Sequence, residues 1–375
     1  MVRLALTTFE VIVMRKHIYS ILVLVGCGGS EPSQSNNADG GGVGVDSPVS
    51  STPDAPMTSY AGVTCATPPP AGATLPPPLP TYAGTCPTLV AGMNTITSSG
   101  AQRQFHLVLP ANLAQTEKLP LLFMWHYIGG DASSMVSNGE AQPAADELRM
   151  IIAVPEKKGD VKLPVVNVDL AWPYMDFVTD ARVEQEAKLF DDILACVAQQ
   201  YSVQEQCVSS VGVSAGALWT AQLMQRRSNR LSSAIVISGG VGPTGGFGGF
   251  ADVRPWAGSE RPIPTIYGWG GGNDTCGGVS FQAGSQALGG KLQSQGSFVV
   301  ECVHNCGHAA PPVDPMVGLR VLYKFVLDHP YWLPVGASPW ASTALPTGTP
   351  EWCAIGVGNA TPRTGTCTGV QSCPL

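Results

Sequence analysis

Charged residues are scarce in this sequence of 375 residues, at 13% of the total against ~25% in an average soluble domain. The 20 basic residues are outnumbered by 27 acidic ones, so the net charge is −7. Because no basic surplus exists to neutralise phosphates, nucleic-acid binding is excluded as a leading function. No internal repeat is apparent either. The length suits one domain of ~200 to 250 residues with extensions, or two small domains.

The amino-terminal apolar run is too short to cross a bilayer. It extends from Ile18 to Val25, against the ~20 residues that a spanning helix needs. Because the basic stretch MRKH precedes it at 14–17, residues 1–27 are predicted to be a signal peptide, beginning at Met1 or Met14. The run ends in LVGC at 24–27, which resembles the lipobox of bacterial lipoproteins. That resemblance implies lipidation of Cys27; the alternative is an ordinary signal peptide cleaved nearby.

Residues 28–85 are rich in Gly, Ser, Thr and Pro, and no charged residue occurs between Asp54 and Arg103. Such a composition buries too little apolar area to offset the entropy of ordering, so we predict a disordered, partly polyproline II tether. A proline-rich ligand for a partner protein is the alternative. The sequence has eleven cysteines, which indicates export, because disulfides persist in oxidising compartments.

Strand-like and helical patterns alternate after Arg103. Strands are predicted at 104–109, 119–125, 150–154, 208–213, 234–238, 264–269 and 298–303, and helices at 139–149, 180–200, 215–227, 284–295 and 315–327. Alternation of this kind predicts an α/β domain, over 86–335, with a mostly parallel, doubly wound sheet and helices on both faces. Ligands of such sheets bind at the carboxyl ends of the strands. Residues 336–375 form a tail with three cysteines.

A G-x-S-x-G pentapeptide, Gly212 to Gly216, directly follows the strand at 208–213 and precedes a helix. This order is the context that a nucleophile elbow requires, in which a tight turn lifts the serine oxygen above the sheet. Ser214 is therefore the candidate nucleophile. The alternative is a serine that only occupies a glycine-rich turn.

An elbow serine needs a histidine base and an acid, in the chain order serine, acid, histidine. His304, His308 and His329 follow Ser214. We favour His308, because Gly307 allows a tight turn before it. His304 abuts its strand, which suits a structural role, and His329 lies beyond the last helix, where we expect a surface position.

Four acids lie between the serine and these histidines: Asp252, Glu260, Asp274 and Glu301. Asp274 follows the strand at 264–269 through a short glycine-rich loop, at the edge of the sheet where the histidine also emerges. It is therefore the candidate acid. The others lie within a strand or in a Pro/Gly-rich loop, and a helix-capping or surface role is the alternative for Asp274.

A tetrahedral oxyanion needs preorganised backbone N–H donors. One donor is expected from Ala215, the residue after the nucleophile. The other is expected from the loop after the strand at 119–125, supplied by Tyr127 or Ile128. His126 precedes the serine, so we assign it a structural role in this loop.

These motifs together resemble the esterase/polyhydroxybutyrate depolymerase group of α/β-hydrolases, which includes feruloyl and acetyl xylan esterases. They are H-x-x-G-G at 126–130, AWPY at 171–174, the G-x-S-x-G, N-D at 273–274 and G-H-x-x-P at 307–311. The resemblance covers about residues 86–330. It implies an α/β-hydrolase fold with Ser214 as nucleophile, Asp274 as acid and His308 as base. Tyr127 and Ala310 depart from the glycine and tryptophan that the group usually has.

The resemblance implies a secreted or surface-tethered serine carboxylic-ester hydrolase without a cofactor, acting on a polyhydroxyalkanoate-type polyester or on feruloyl or acetyl esters of plant polysaccharide. We expect a monomer attached to the membrane only by its lipid. Trp172, Tyr174 and Trp269 fall near strand ends and are candidates for an aromatic substrate pocket, with core packing as the alternative. A serine peptidase, a thioesterase and a non-catalytic binding module are the competing functions.

The spacing of Cys302, His304, Cys306 and His308 also permits a zinc site. Ligands packed at alternate positions do not easily surround one ion, and export favours disulfides, so no metal is expected. Since Asp274 and His308 must meet, Cys276 is predicted to pair with Cys306 or, as the alternative, Cys302.

A second disulfide is predicted between Cys196 and Cys207, at the ends of a short loop. The three cysteines of the tail are expected to attach it to the domain or to the tether.

Overall fold

A computed structural model describes residues 59–164, 167–246, 251–367 and 373. The predicted signal peptide, with Cys27, and the first part of the predicted tether lie outside these residues. None of the helices in the described ranges has both the length and the apolar character that crossing a membrane requires.

The described residues form eleven strands, nine of which belong to one sheet in the order β1-β2-β4-β3-β5-β6-β7-β10-β11. The strands are β1 (Gly92–Ser98), β2 (Ala101–Val108), β3 (Leu119–Trp125), β4 (Ile151–Pro155), β5 (Val203–Val213), β6 (Ser233–Ile237), β7 (Thr265–Trp269), β8 (Thr275–Cys276), β9 (Val279–Ser280), β10 (Val299–Val303) and β11 (Cys353–Ile355). Strands β8 and β9 form a separate hairpin.

The centre of the sheet is parallel, from β4 through β3, β5, β6 and β7 to β10, and antiparallel strands flank it on both sides. Strands β3, β4, β6, β7 and β10 are buried at every residue, as expected for parallel strands covered on both faces. The predicted mostly parallel sheet is therefore confirmed. Two strands of the sheet were not predicted: β1, which pairs with β2, and β11, which pairs with β10.

Six α-helices cover the sheet within the described ranges: α1 (Ala132–Asn138), α2 (Ala141–Leu148), α3 (Asp180–Gln200), α4 (Ala215–Arg226), α5 (Phe281–Ser294) and α6 (Arg320–Asp328). Buried side chains of α3, α4 and α5 pack on one face, and those of α1, α2 and α6 pack on the other. The predicted placement of helices on both faces is therefore confirmed.

Three helices begin at other residues than predicted. The helix predicted at 284–295 begins at Phe281, because the Ser280 hydroxyl caps it by accepting from the Ala283 backbone N–H. The helix predicted at 139–149 is interrupted at Glu140, whose φ of 52° lies outside the right-handed helical region. The helix predicted from 315 begins at Arg320, because Gly318 has a φ of 66°. An ion pair connects the starts of these two helices, α2 and α6, because the Glu140 carboxylate lies 2.8 Å from Arg320 Nη1.

The predicted disorder of residues 28–85 does not hold from residue 59 onward, where the chain lies against the domain. Cys65 is buried and forms a disulfide with Cys207 of β5. The Arg230 guanidinium donates to the carbonyl groups of Pro77 and Pro78. Composition alone underestimated order because a disulfide and backbone acceptors hold this segment, and prolines lose little entropy on ordering.

The predicted Cys196–Cys207 disulfide is wrong. Cys196, in α3, pairs with Cys86, and Cys207 pairs with Cys65, at Cα–Cα distances of 5.4 and 6.0 Å. Proximity in sequence favoured the short loop, but the amino-terminal segment passes close to both cysteines and satisfies the geometry of each bond.

The prediction that His329 lies at the surface is also wrong, because its side chain is fully buried. Its Nδ1 donates to the carbonyl of Phe325 at 2.8 Å, and its Nε2 accepts from the Ser338 hydroxyl at 2.7 Å. Burial lowers the pKa of His329 to about 3, so the ring is neutral at physiological pH. The tail after α6 covers this histidine, which sequence order alone does not reveal.

Candidate active site

Ser214 lies at the tight turn between β5 and α4, with φ 55° and ψ −123°. This is a strained conformation for a residue other than glycine, and it is the conformation of a nucleophile elbow. The flanking glycines are needed for close approach. A Cβ on Gly216 would lie 1.9 Å from the carbonyl oxygen of Trp125, and one on Gly212 would lie 2.1 Å from that of Gly216.

Ser214, His308 and Asp274 form a chain of hydrogen bonds, here called the Ser-His-Asp relay. His308 Nδ1 lies 2.7 Å from Asp274 Oδ1, and His308 Nε2 lies 2.8 Å from Ser214 Oγ. A carboxylate only accepts, so Nδ1 carries the proton and Nε2 accepts from the serine hydroxyl. The relay is ordered for proton transfer from Ser214 to His308.

Two further donors hold the Asp274 carboxylate, which is fully buried. Its Oδ2 accepts from the backbone N–H of Gly270 at 2.7 Å and from the Ser238 hydroxyl at 2.8 Å. Both carboxylate oxygens are therefore occupied, which fixes the plane of the carboxylate. The contribution of Ser238, which follows β6, was not predicted.

The hairpin of β8 and β9 returns the chain to the relay. Its turn, Gly277-Gly278, has positive φ at both residues, as tight hairpins require. The backbone N–H of Phe281 then donates to the Asp274 carbonyl at 2.9 Å. The Phe281 ring stacks on His308 with centroids 4.2 Å apart. The Gly-Gly dipeptide is the local sequence signal of this hairpin, which was not predicted.

The predicted pairing of Cys276 is wrong. Cys276 pairs with Cys373, and Cys306 pairs with Cys367, at Cα–Cα distances of 5.4 and 5.3 Å. The loops of Asp274 and His308 do meet as expected, but each is bonded to the tail and not to the other. Cys302 is occupied within the sheet, where it pairs with Cys353 of β11. The expected attachment of the tail to the domain agrees with these bonds.

We predict that removing the Cys306–Cys367 disulfide lowers activity more than removing the Cys65–Cys207 disulfide. Cys306 lies two residues before His308, so loss of its disulfide frees the loop that carries His308, and a misplacement of ~1 Å in an active site costs up to ~100-fold in rate. The measurement is kcat of the two double Cys→Ser variants under conditions where circular dichroism shows both to be folded. Equal loss in both variants would contradict a role in positioning His308.

His304 and His126 both lie outside the relay. His304 Nδ1 accepts from the backbone N–H of Cys306 at 3.2 Å, and burial lowers the pKa of His304 to about 4. His126 Nδ1 lies 2.9 Å from the carbonyl oxygen of Tyr127, and burial lowers its pKa. Both geometries suit the structural roles expected of them.

The three predicted oxyanion donors lie at the carboxyl edge of the sheet. Ala215 opens α4, while Tyr127 and Ile128 follow β3 and line a cavity beside Ser214. These residues lie where the first turn of α4 and the loop after β3 converge. The close approach of Gly216 to the Trp125 carbonyl brings these two segments together.

The predicted aromatic pocket of Trp172, Tyr174 and Trp269 is wrong. All three side chains are buried in the core, and none lines the cavity beside Ser214. Only Trp269 ends a strand, β7, whereas Trp172 and Tyr174 lie in the segment between β4 and α3; all three belong to the core on the side of α3, α4 and α5. Trp172 nevertheless supports the site, because its indole N–H donates to the His126 carbonyl at 2.7 Å.

The cavity beside Ser214 has a volume of about 430 Å³. Its described lining includes Ser214 and His308, apolar residues of β5 and β6, and residues of α1 and α6. None of these lining residues is Asp, Glu, Lys or Arg. The Ser214 hydroxyl therefore borders an apolar cavity, which suits a neutral substrate.

The zinc alternative is not supported in the described part of the chain. Cys302 and Cys306 are consumed in disulfides, and no group of three or more His, Cys, Asp or Glu residues there is arranged to hold a metal ion.

No family model matches the chain. A curated relative, feruloyl esterase D of Neurospora crassa, is 26% identical over 159 residues, which is 42% of this chain and 52% of the relative. The chain thus spans about half the length of that relative. Solved structures of proteins named pOPH and sOPH superpose with TM-scores of 0.58 and 0.57 at 18% and 19% identity. Each superposition covers 73% of this chain, together with 97% of the pOPH chain or 98% of the sOPH chain. The chain therefore has an α/β-hydrolase fold and resembles ester hydrolases.

Proposed function

We propose that this protein is a serine carboxylic-ester hydrolase that acts through an acyl-serine intermediate. The observation that carries the proposal is the Ser-His-Asp relay, with its 2.7 and 2.8 Å hydrogen bonds, at the mouth of an apolar cavity. Ser214 is the nucleophile, His308 the general base and Asp274 the acid that orients the base.

The reaction follows from this geometry. Ser214 Oγ attacks the ester carbonyl carbon while His308 Nε2 accepts its proton, and the N–H groups of Ala215 and of Tyr127 or Ile128 stabilise the oxyanion. His308 then returns the proton to the alcohol oxygen as the ester bond breaks. Water, deprotonated by the same Nε2, attacks the acyl-serine and releases the carboxylic acid. Asp274 stabilises the imidazolium in both halves of the reaction.

The proposed substrate is a polyhydroxyalkanoate-type polyester or a feruloyl or acetyl ester of plant polysaccharide. The partial likeness to a feruloyl esterase supports the second, and the apolar cavity supports the first. A peptide would bring an unpaired amide N–H to a cavity with few polar partners, which favours an ester over a peptide.

The test is a substrate panel on the purified protein. It comprises p-nitrophenyl butyrate, methyl ferulate, a suspension of polyhydroxybutyrate and a short peptide, each with and without EDTA. We expect turnover of esters, no turnover of the peptide, and no effect of EDTA. Peptide cleavage without ester cleavage, or loss of activity with EDTA, would contradict the proposal.

Export and lipidation at Cys27 complete the proposal, with a cell-surface or outer-membrane location. The five disulfides of the described residues suit an oxidising compartment. We expect the native protein to partition into the detergent phase of a Triton X-114 extract, and Cys27→Ala to abolish that partition. A mature protein that begins at a residue other than Cys27 and stays in the aqueous phase would contradict lipidation.

A further inference from the structure

The cavity beside Ser214 extends along the sheet on the side that carries α1 and α6. Two neighbouring cross-strand pairs of β5 and β6 line it: Val213 with Ile237, and Val211 with Ile235. Alternate residues of a strand share a face, so these pairs form successive levels below the nucleophile. At ~3.3 Å per residue, the second level lies roughly 10 Å along the strand from Ser214.

The interior end of this cavity is apolar. Val211, Ile235 and Leu322 are at most 4% exposed. The one buried polar side chain of α6 that lines the cavity is already engaged, because the Tyr323 hydroxyl donates to the Gly139 carbonyl at 2.9 Å. Asn138, whose amide donates to the Tyr127 hydroxyl at 2.7 Å, is exposed and lies away from this end. A polar substrate group placed at this end would lose its hydration without gaining a partner, so an apolar group is favoured.

The cavity suits the acyl part of the ester better than the alcohol part. The acyl carbon is bonded to Ser214 Oγ in the intermediate, whereas the alcohol must leave before water attacks. A cavity that extends into the packed face of the sheet suits the acyl group, because this group remains bound to Ser214 after the alcohol has left. The leaving alcohol needs the open side of the site.

We infer that the acyl group is an unbranched aliphatic chain of medium length, bound between the two strand pairs and α6. This inference rests on the proposed function. An extended alkyl chain advances roughly 1.3 Å per carbon, given C–C bonds of ~1.5 Å, so roughly 10 Å of strand holds about eight carbons. The inference therefore favours an alkanoyl ester over a feruloyl ester, whose phenolic hydroxyl would meet Val211 and Ile235, and over a polyhydroxyalkanoate, whose acyl part is branched and carries a further oxygen.

The experiment measures kcat/KM of the full-length protein on p-nitrophenyl acetate, butyrate, hexanoate, octanoate, decanoate and palmitate. We expect a rise of up to about fourfold per added methylene, which corresponds to ~0.8 kcal/mol per buried CH₂. The rise should end near octanoate and reverse for palmitate. A flat profile, or one that falls steadily from acetate, would overturn the inference.

Two variants of Leu322, which lines the cavity from α6, test the location. Leu322→Trp should lower kcat/KM on octanoate at least tenfold, while acetate changes less than about twofold. Leu322→Ala, which retains the fold more readily, should move the optimum to a longer chain. The matched control is Leu292→Ala, because Leu292 is equally buried but packs on the opposite face of the sheet. Its profile should keep the wild-type optimum.

The outcomes separate the inference from the proposed function. Turnover of short esters with an optimum that Leu322→Ala does not move would overturn the inference and leave the ester hydrolase intact. Absence of turnover on every ester of the series would overturn the proposed function, and the inference with it.

Discussion

Replacing Ser214 by alanine is expected to lower kcat on an ester substrate by something approaching ~10⁶-fold, as when catalytic serines are removed elsewhere. The variant lacks the only atom that we propose to bond the acyl carbon, so it loses the covalent route. The oxyanion donors and the cavity remain, and they leave a rate somewhat above that of the uncatalysed reaction. The measurement is kcat on p-nitrophenyl butyrate, with protein purified free of host esterases.

The matched control for this variant is Ser232→Ala. Ser232 is fully buried. Its hydroxyl forms a hydrogen bond with the Ser209 hydroxyl at the amino end of β6, away from the relay. The control should keep its activity within a few-fold of the wild type. Activity near the wild-type level in Ser214→Ala would remove this serine from the mechanism.

Replacing Asp274 by asparagine is expected to lower kcat by about 10⁴-fold, the loss seen for the same change in a serine-protease triad. The structure gives the reason. Gly270 donates its backbone N–H to Oδ2, so the amide oxygen of asparagine must stay on that side. The amide NH₂ then faces His308 Nδ1, which becomes an acceptor. The proton moves to Nε2, which can no longer accept from Ser214.

The control for the aspartate variant is Asp192→Asn. Asp192 is also buried, but it pairs with Lys188 on α3, at 2.7 Å. We expect this change to affect stability and to leave kcat nearly unchanged. A small loss of kcat in Asp274→Asn, together with a folded protein, would show that Asp274 does not set the tautomer of His308.

The parallel sheet was predictable because its signals are local. Strand β3 is apolar at nearly every position, as both faces are covered, and α3 has the predicted bounds because its apolar residues recur at helical spacing. The three residues of the relay were predicted from their order along the chain, serine before acid before histidine, and from the glycines next to them in sequence. The structure brings Ser214, His308 and Asp274 within hydrogen-bonding distance.

The features that were missed depend on contacts between distant segments. Cys276 lies two residues from Asp274, yet its partner Cys373 is separated from it by 97 residues. Trp172 lies in the segment between β4 and α3, and its side chain is buried because it packs against Trp125 of β3, with ring centroids 5.0 Å apart. Ser238 and Phe281 reach the relay only through the fold. No periodic pattern marks such contacts.

The measurement that tests the central claim most directly is the capture of the acyl-serine. The protein is mixed with p-nitrophenyl octanoate, quenched in acid within milliseconds, digested and analysed by mass spectrometry. We predict that the wild-type peptide that contains Ser214 carries an octanoyl group after the quench. The same peptide of Ser214→Ala should carry none. An ester hydrolysed at the wild-type rate with no acyl adduct on Ser214, or with the adduct on another residue, would contradict the account.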